Sequence, residues 1–123
     1  MTLGLILVVD GIPADLQAAC SCLETIGHFV LSATGPVEAL SHLRTFRPHA
    51  ILLAVPDPDG CACELARGLK ADSATSGIPI VALTAGSDGD ASRRAREAGC
   101  DAWLAKPVDA IRLRGVLDVI VPA

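Results

Sequence analysis

The stretch Leu3-Gly-Leu-Ile-Leu-Val-Val-Asp10-Gly11-Ile12-Pro13 decides the fold. An apolar run stops on an aspartate and a glycine, and a proline then opens an amphipathic segment. Short apolar runs that are partly β-branched and bounded by Gly, Pro or Asp read as strands buried on both faces. The pattern recurs at Phe29 to Ser32, Ala50 to Val55, Ile78 to Leu83 and Ala102 to Leu104.

Helical patterns fill the intervals. Pro13 suits a first helical turn, and Leu16, Ala19, Cys20, Leu23 and Ile26 form one apolar face that Gly27 ends. A second helix opens near Pro36, turns Val37, Leu40 and Leu43 inward, and must end before Pro48. A third spans about Cys61 to Lys70. A fourth spans about Asp88 to Ala98, capped by Ser87 or Asp88 and closed by Gly99. The fifth follows Pro107 and is expected to face the sheet with Ile111, Val116, Leu117 and Ile120; Gly115 inside it costs about 1 kcal/mol relative to alanine.

Strands alternating with helices make an α/β protein, a parallel sheet covered on both faces. At roughly 150 residues per domain, a chain of 123 residues is read as a single domain, residues 1–123. Hydrophobic residues at 51% and charged residues at 20% suit a globular chain, and aromatics at 2% leave the core to Leu, Ile, Val and Ala. The net charge of −4 speaks against direct nucleic-acid binding through phosphate contacts. The run Leu3 to Val9 is too short to cross a bilayer and lacks the basic leader of a signal peptide, so the expected compartment is cytoplasmic and no membrane contact is expected.

Five cysteines without a secretory signal do not suggest a disulfide framework. Cys20/Cys22 and Cys61/Cys63 each fall within a helix, where residues two apart point away from each other, so they read as small core filler. His28, His42 and His49 share no spacing and read as surface or strand-edge residues.

Ligands of open α/β sheets sit beyond the C-terminal ends of the strands. The residues there are Asp10-Gly11 after the first strand and Ala54-Val55-Pro-Asp57-Pro-Asp59-Gly60 after the third. Thr84-Ala85 ends the fourth, and Lys106-Pro107 follows the fifth. One carboxylate, one hydroxyl and one ammonium therefore share a rim.

In these residues the chain resembles the receiver domain of bacterial two-component response regulators, from about Leu3 to Ile120. The matching pieces are Ile6-Leu-Val-Val-Asp10, Gly35-Pro-Val-Glu-Ala-Leu40, Pro48-His-Ala-Ile-Leu-Leu53, Ile78-Pro-Ile-Val-Ala-Leu-Thr-Ala85 and Ala98-Gly-Cys-Asp-Ala-Trp-Leu-Ala-Lys-Pro107. The resemblance implies a flavodoxin-like, doubly wound sheet in strand order 2-1-3-4-5. It also implies an acidic pocket that binds Mg²⁺ and takes a phosphoryl group onto an aspartate ending strand three. By the same resemblance Asp10 is the first acid of the pocket, Thr84 the hydroxyl that contacts the phosphoryl group, Lys106 its lysine, and Trp103 the aromatic switch residue.

The departures from that pattern are as informative. Gly11 stands where the family has a second acid, and Ala54 where it has the phosphoacceptor. These are the family's direct carboxylate ligands, so Asp10 alone should hold Mg²⁺ weakly or not at all. The loop from Ala54 to Gly60 is two residues shorter than the family's. Asp57 or Asp59 is the alternative acceptor in a remodelled loop. Asp57, however, lies up to roughly 10 Å beyond Ala54 at about 3.3 Å per residue, and sliding the strand would bury Pro56 in a central ladder. Pro-Asp-Gly runs are otherwise turn chemistry.

The resulting expectation is a receiver-like signalling module, not an enzyme, that acts through protein contacts without aspartyl phosphorylation. Absence of a Gly-x-Gly-x-x-Gly or phosphate-binding loop speaks against a small cofactor-binding enzyme. The expected partners are a histidine kinase, an output domain or another regulator. The face made by helix four, strand five and helix five, with Arg93, Arg94, Arg96, Arg112 and Arg114, is the candidate surface for docking or homodimerisation. Acids at Asp88, Asp90, Glu97 and Asp109 dilute its charge. Two local expectations follow: a cis Lys106–Pro107 bond, and a Lys106–Asp10 contact worth about 0–1 kcal/mol as a part-exposed pair.

Overall fold

The computed structural model describes residues 3–55, 61–85 and 89–121. Strands β1 (Leu5–Val9), β2 (Phe29–Ala33), β3 (Ala50–Ala54), β4 (Ile80–Ala85) and β5 (Ala102–Lys106) alternate with helices α1 (Pro13–Ile26), α2 (Pro36–Thr45), α3 (Cys61–Ala71), α4 (Gly89–Glu97) and α5 (Ala110–Ile120). All pairings are parallel, in the order β2-β1-β3-β4-β5. This is the flavodoxin-like doubly wound sheet. Asp57 and Asp59 lie outside the described residues, as do Ser87 and Asp88, the caps expected for α4.

Strand alternation divides the core in two. Ile6, Val8, Leu52, Val81, Leu83 and Leu104 meet Ala19 and Leu23 of α1 and Leu113 and Leu117 of α5. On the other face Leu7, Val9, Ile51, Leu53, Ile80 and Ala82 meet α2, α3 and α4. The helix contribution there is small from α2 and α4, which bury only alanines (Ala39, Ala91 and Ala95), and larger from α3, which adds Leu65 and Leu69 to Ala62 and Ala66. Gly27 and Gly99 end α1 and α4 with φ of 115° and 103°, backbone that favours glycine. The Lys106–Pro107 bond is cis, as expected.

Two helix faces differ from the sequence expectation. On α2, Val37 is 84% exposed and Leu40 is exposed, while Ala39 is fully buried and Leu43 packs beside it. The stripe touching the sheet is the i, i+4 pair Ala39/Leu43, which leaves positions 37 and 40 on the flank. On α5, Ile111 is 85% exposed and Leu113 is fully buried with Leu117. Asp109 caps this helix by accepting the Arg112 N–H at 2.8 Å, which sets the phase so that 113 and 117 face the sheet.

His28 is likewise not a surface residue. It follows the left-handed Gly27, which turns the chain under the start of β1. There its Nδ1 accepts the Gly4 N–H at 3.1 Å, and the buried Nε2 makes no hydrogen bond among the described residues. His42 lies against the Ser32 carbonyl of edge strand β2 at 2.9 Å, and His49 accepts the Leu5 N–H at 3.1 Å.

A polar clamp closes the opposite rim. Lys70 donates to Asp101 Oδ2 at 2.9 Å and to the Ile78 carbonyl at 3.0 Å, and the same Oδ2 accepts the buried Ile80 N–H at 2.8 Å. Hydrogen bonds to charged groups contribute about 1.5–3 kcal/mol. Asp101→Ala is expected to lower stability by about 2 kcal/mol in urea unfolding, while Asp101→Asn, which keeps an acceptor for Ile80, loses about half of that. Equal losses in the two variants would show that the charge contact with Lys70 dominates.

Candidate functional site

The alternation that divides the core also builds the site. Asp10 continues the β1 positions Ile6 and Val8, Ala54 continues Ala50 and Leu52, and Lys106 continues Leu104. All three therefore belong to the face covered by α1 and α5, at the carboxyl rim. Thr84 has the other parity: its register partner is Ala105, and Ala82 pairs with Trp103, whereas Lys106 pairs with Ala85.

Asp10 is 2% exposed. Its Oδ1 accepts the Ile12 N–H at 2.9 Å, tying the carboxylate to the turn that leads into α1. Its Oδ2 lies 2.8 Å from Lys106 Nζ, so the expected contact is present. A second carboxylate joins it: Lys106 Nζ donates to Asp15 Oδ2, also at 2.8 Å. Asp15 occupies the first turn of α1, where an acid complements the helix dipole, and the same position reaches the rim. Burial acts to lower the Lys106 pKa, but the contacts with Asp10 and Asp15 together outweigh it and raise the ammonium above its ordinary value.

Thr84 and Trp103 stand apart from this cluster. Thr84 is buried, with its hydroxyl 3.4 Å from the Leu104 carbonyl. Trp103 is 44% exposed, and the Arg96 guanidinium of α4 lies 5.6 Å from its ring centre, within cation–π range. Around the rim, Val9, Asp10, Gly11, Ile12, Thr34, Gly35, Pro36, Leu53, Ala54, Ala62 and Lys106 enclose a cavity of about 280 Å³.

A model of the response regulator receiver domain family matches residues 6–118. The chain belongs to this family. The polar-differentiation response regulator DivK of Brucella anthropi is 27% identical to this receiver domain over 107 residues, covering 87% of each chain. The signal receiver domain of a signal transduction histidine kinase from Syntrophus aciditrophicus is 28% identical and superposes with a TM-score of 0.84, over 96% of this chain and 89% of that one. The receiver domain of a Pseudomonas aeruginosa sensor histidine kinase, 24% identical, shares the fold with a TM-score of 0.87 over 99% of this chain and 100% of its own. That protein has a magnesium ion coordinated in its active-site cleft.

The residues of this receiver domain fit such an ion poorly. Mg²⁺ demands near-octahedral oxygen ligation, usually with one or two carboxylates free to bind. Here Gly11 and Ala54 offer no side-chain oxygen, and the free oxygen of Asp10 faces an ammonium at 2.8 Å. Among the described residues no group of three or more His, Cys, Asp or Glu could hold a metal. Cys20, Cys22 and Cys63 are partly buried and pack against the two cores. Cys100 is buried, and burial first, then the neighbouring Cys63 and Asp101, push its thiol up to about 12. No helix among the described residues is long and apolar enough to cross a membrane.

Sequence reasoning missed Asp15. Its signal was its position five residues after Asp10, at the junction of β1 and α1, where a first-turn acid is ordinarily explained by the helix alone.

Proposed function

We propose that this receiver domain is a non-enzymatic signalling module that acts through protein contacts and takes no phosphoryl group onto an aspartate. The observation that carries this is Ala54 at the end of β3 together with a lysine whose charge is already taken by two carboxylates. A methyl group cannot attack phosphorus. The role of counter-charge to the lysine, which the family's acceptor aspartate fills, falls to Asp15. Asp10 is the remaining acid of the pocket, without a resident Mg²⁺.

A ligand shifts a two-state equilibrium only by its differential affinity for the two states. With the acceptor gone, phosphate chemistry has little to grip, and the domain rests in one state with Thr84 buried and Trp103 outward. Its partners are a histidine kinase, an output domain or another regulator. They dock on the face of α4, β5 and α5, where Arg94, Arg96, Arg112 and Arg114 are exposed and Arg96 lies over the Trp103 ring.

Trp103 is the sole tryptophan and reports on this switch directly. Its fluorescence is expected to stay flat when beryllofluoride and Mg²⁺ are titrated in. A saturable change that Asp57→Asn or Asp59→Asn abolishes would instead establish one of these aspartates as an acceptor in the shortened loop.

A further inference from the structure

The groove between α2 and α3 shares no lining residue with the rim cavity and uses no residue of α4, β5 or α5. The two helices flank it without closing it. α2 rests on the sheet through one fully buried alanine, Ala39, while Val37 and Leu40 on its flank are 84% and 47% exposed. Leu40 and Leu43 form one wall of a groove of about 470 Å³, and Leu65 and Leu69 form the other. Within α3, Gly68 leaves a hollow in that second wall: a Cβ there would meet no atom within 4 Å. The charges divide between the walls in the same way. Arg44 stands on the α2 side, Glu64 and Asp72 on the α3 side, and all three are exposed. Asp72 Oδ1 accepts the Ala74 N–H at 2.9 Å, and no ion pair spans the groove among the described residues.

We infer that this groove is the interface of a two-fold dimer of this chain. A two-fold contact uses the same patch on both copies, so the patch must complement itself. This one carries a knob beside a hollow and a cationic wall beside an anionic one. α2 and α3 both return from the carboxyl rim across the same face of a parallel sheet, so they run side by side in one direction. A two-fold axis along the groove lays α2 of each copy on α3 of the other. Leu40 then enters the hollow left by Gly68 of the partner subunit, a knob between ridges of the facing helix. Arg44, near the carboxyl end of α2, meets Asp72 of the partner subunit, which lies just past the carboxyl end of α3. Symmetry makes each contact twice and removes Val37 and Leu40 of both copies from water. An acidic partner protein would satisfy Arg44 and be repelled by Glu64 and Asp72, and a basic one the reverse. A second copy satisfies both walls.

Sedimentation equilibrium of the full chain over a concentration series tests this, and a monomer–dimer equilibrium is expected. Gly68→Gln fills the hollow. Glutamine is the better helix former and its Cβ meets open space, so the variant should unfold at the same temperature or higher and yet sediment as a monomer. Arg44→Glu keeps the apolar contacts but turns attraction into repulsion at both ends, and should weaken the dimer by at least about tenfold. Ile111→Arg, on the exposed side of α5, is the control and should leave the dimer intact. Should Gly68→Gln fail to fold, Arg44→Glu at an exposed position decides. A chain that stays monomeric up to about 1 mM, a dimer whose affinity neither groove variant changes, or a dimer that Ile111→Arg dissolves would overturn the inference. No phosphodonor is present, so these outcomes are independent of the proposed function.

Discussion

Lys106→Met is expected to lower the unfolding free energy by about 3 kcal/mol at pH 7, because removing one partner of a buried pair strands the other's charge. This is well above the ~0–1 kcal/mol that the sequence suggests for a part-exposed pair. The difference lies in Asp10. Its side chain is 1% exposed, and among the described residues the Ile12 N–H and the Lys106 ammonium stabilise its charge, while the lysine side chain is 21% exposed. Urea unfolding at several pH values separates the contributions. At the alkaline end the sign follows from the raised pKa of Lys106. Its stabilisation is fully present below the unfolded lysine value of about 10.4 and is lost as pH rises through the higher folded value. The gap between the unaltered chain and the variant should therefore narrow above pH ~10.4. A loss below about 1 kcal/mol that is flat with pH would mean that Asp10 is effectively solvated.

Leu113→Ala should cost about 3 kcal/mol, and Ile111→Ala less than about 0.5 kcal/mol, although the two residues lie two positions apart on α5. Leu113 is fully buried against the sheet face that holds Leu104, Val81 and Leu83, whereas Ile111 points to solvent. Truncating the first leaves a cavity in a close-packed interior, and truncating the second removes surface that water already touches. Urea unfolding of the two variants side by side checks the phase of the helix, and comparable losses would contradict it.

The same helix shows what the sequence could and could not convey. Strand positions were legible because strands buried on both faces carry continuous apolar runs, and their alternation of two is insensitive to small errors at the ends. Helix ends at Gly27 and Gly99 were legible because left-handed backbone favours glycine. Helix phase was less so. In α5, apolar residues occupy Ile111, Leu113, Val116, Leu117, Val119 and Ile120, so several stripes are available, and the cap at Asp109 selects among them. In α2 the buried residue is an alanine, which carries little hydrophobic signal beside Val37 and Leu40.

At the site, Asp10 and Lys106 could be paired from sequence because both end strands at one rim. Asp15 could not, since it reaches Lys106 across 91 residues from a position that helix electrostatics alone would account for. The Lys70–Asp101 clamp and the burial of His28 are likewise products of tertiary proximity, with partners far along the chain.

The most direct measurement on the central claim is the intact mass of the protein after incubation with acetyl phosphate and Mg²⁺, quenched under conditions that preserve acyl phosphates. With Ala54 at the end of β3 and Lys106 held between Asp10 and Asp15, the mass should remain that of the unmodified chain. A gain of one phosphoryl group that disappears in Asp57→Asn or Asp59→Asn would contradict it.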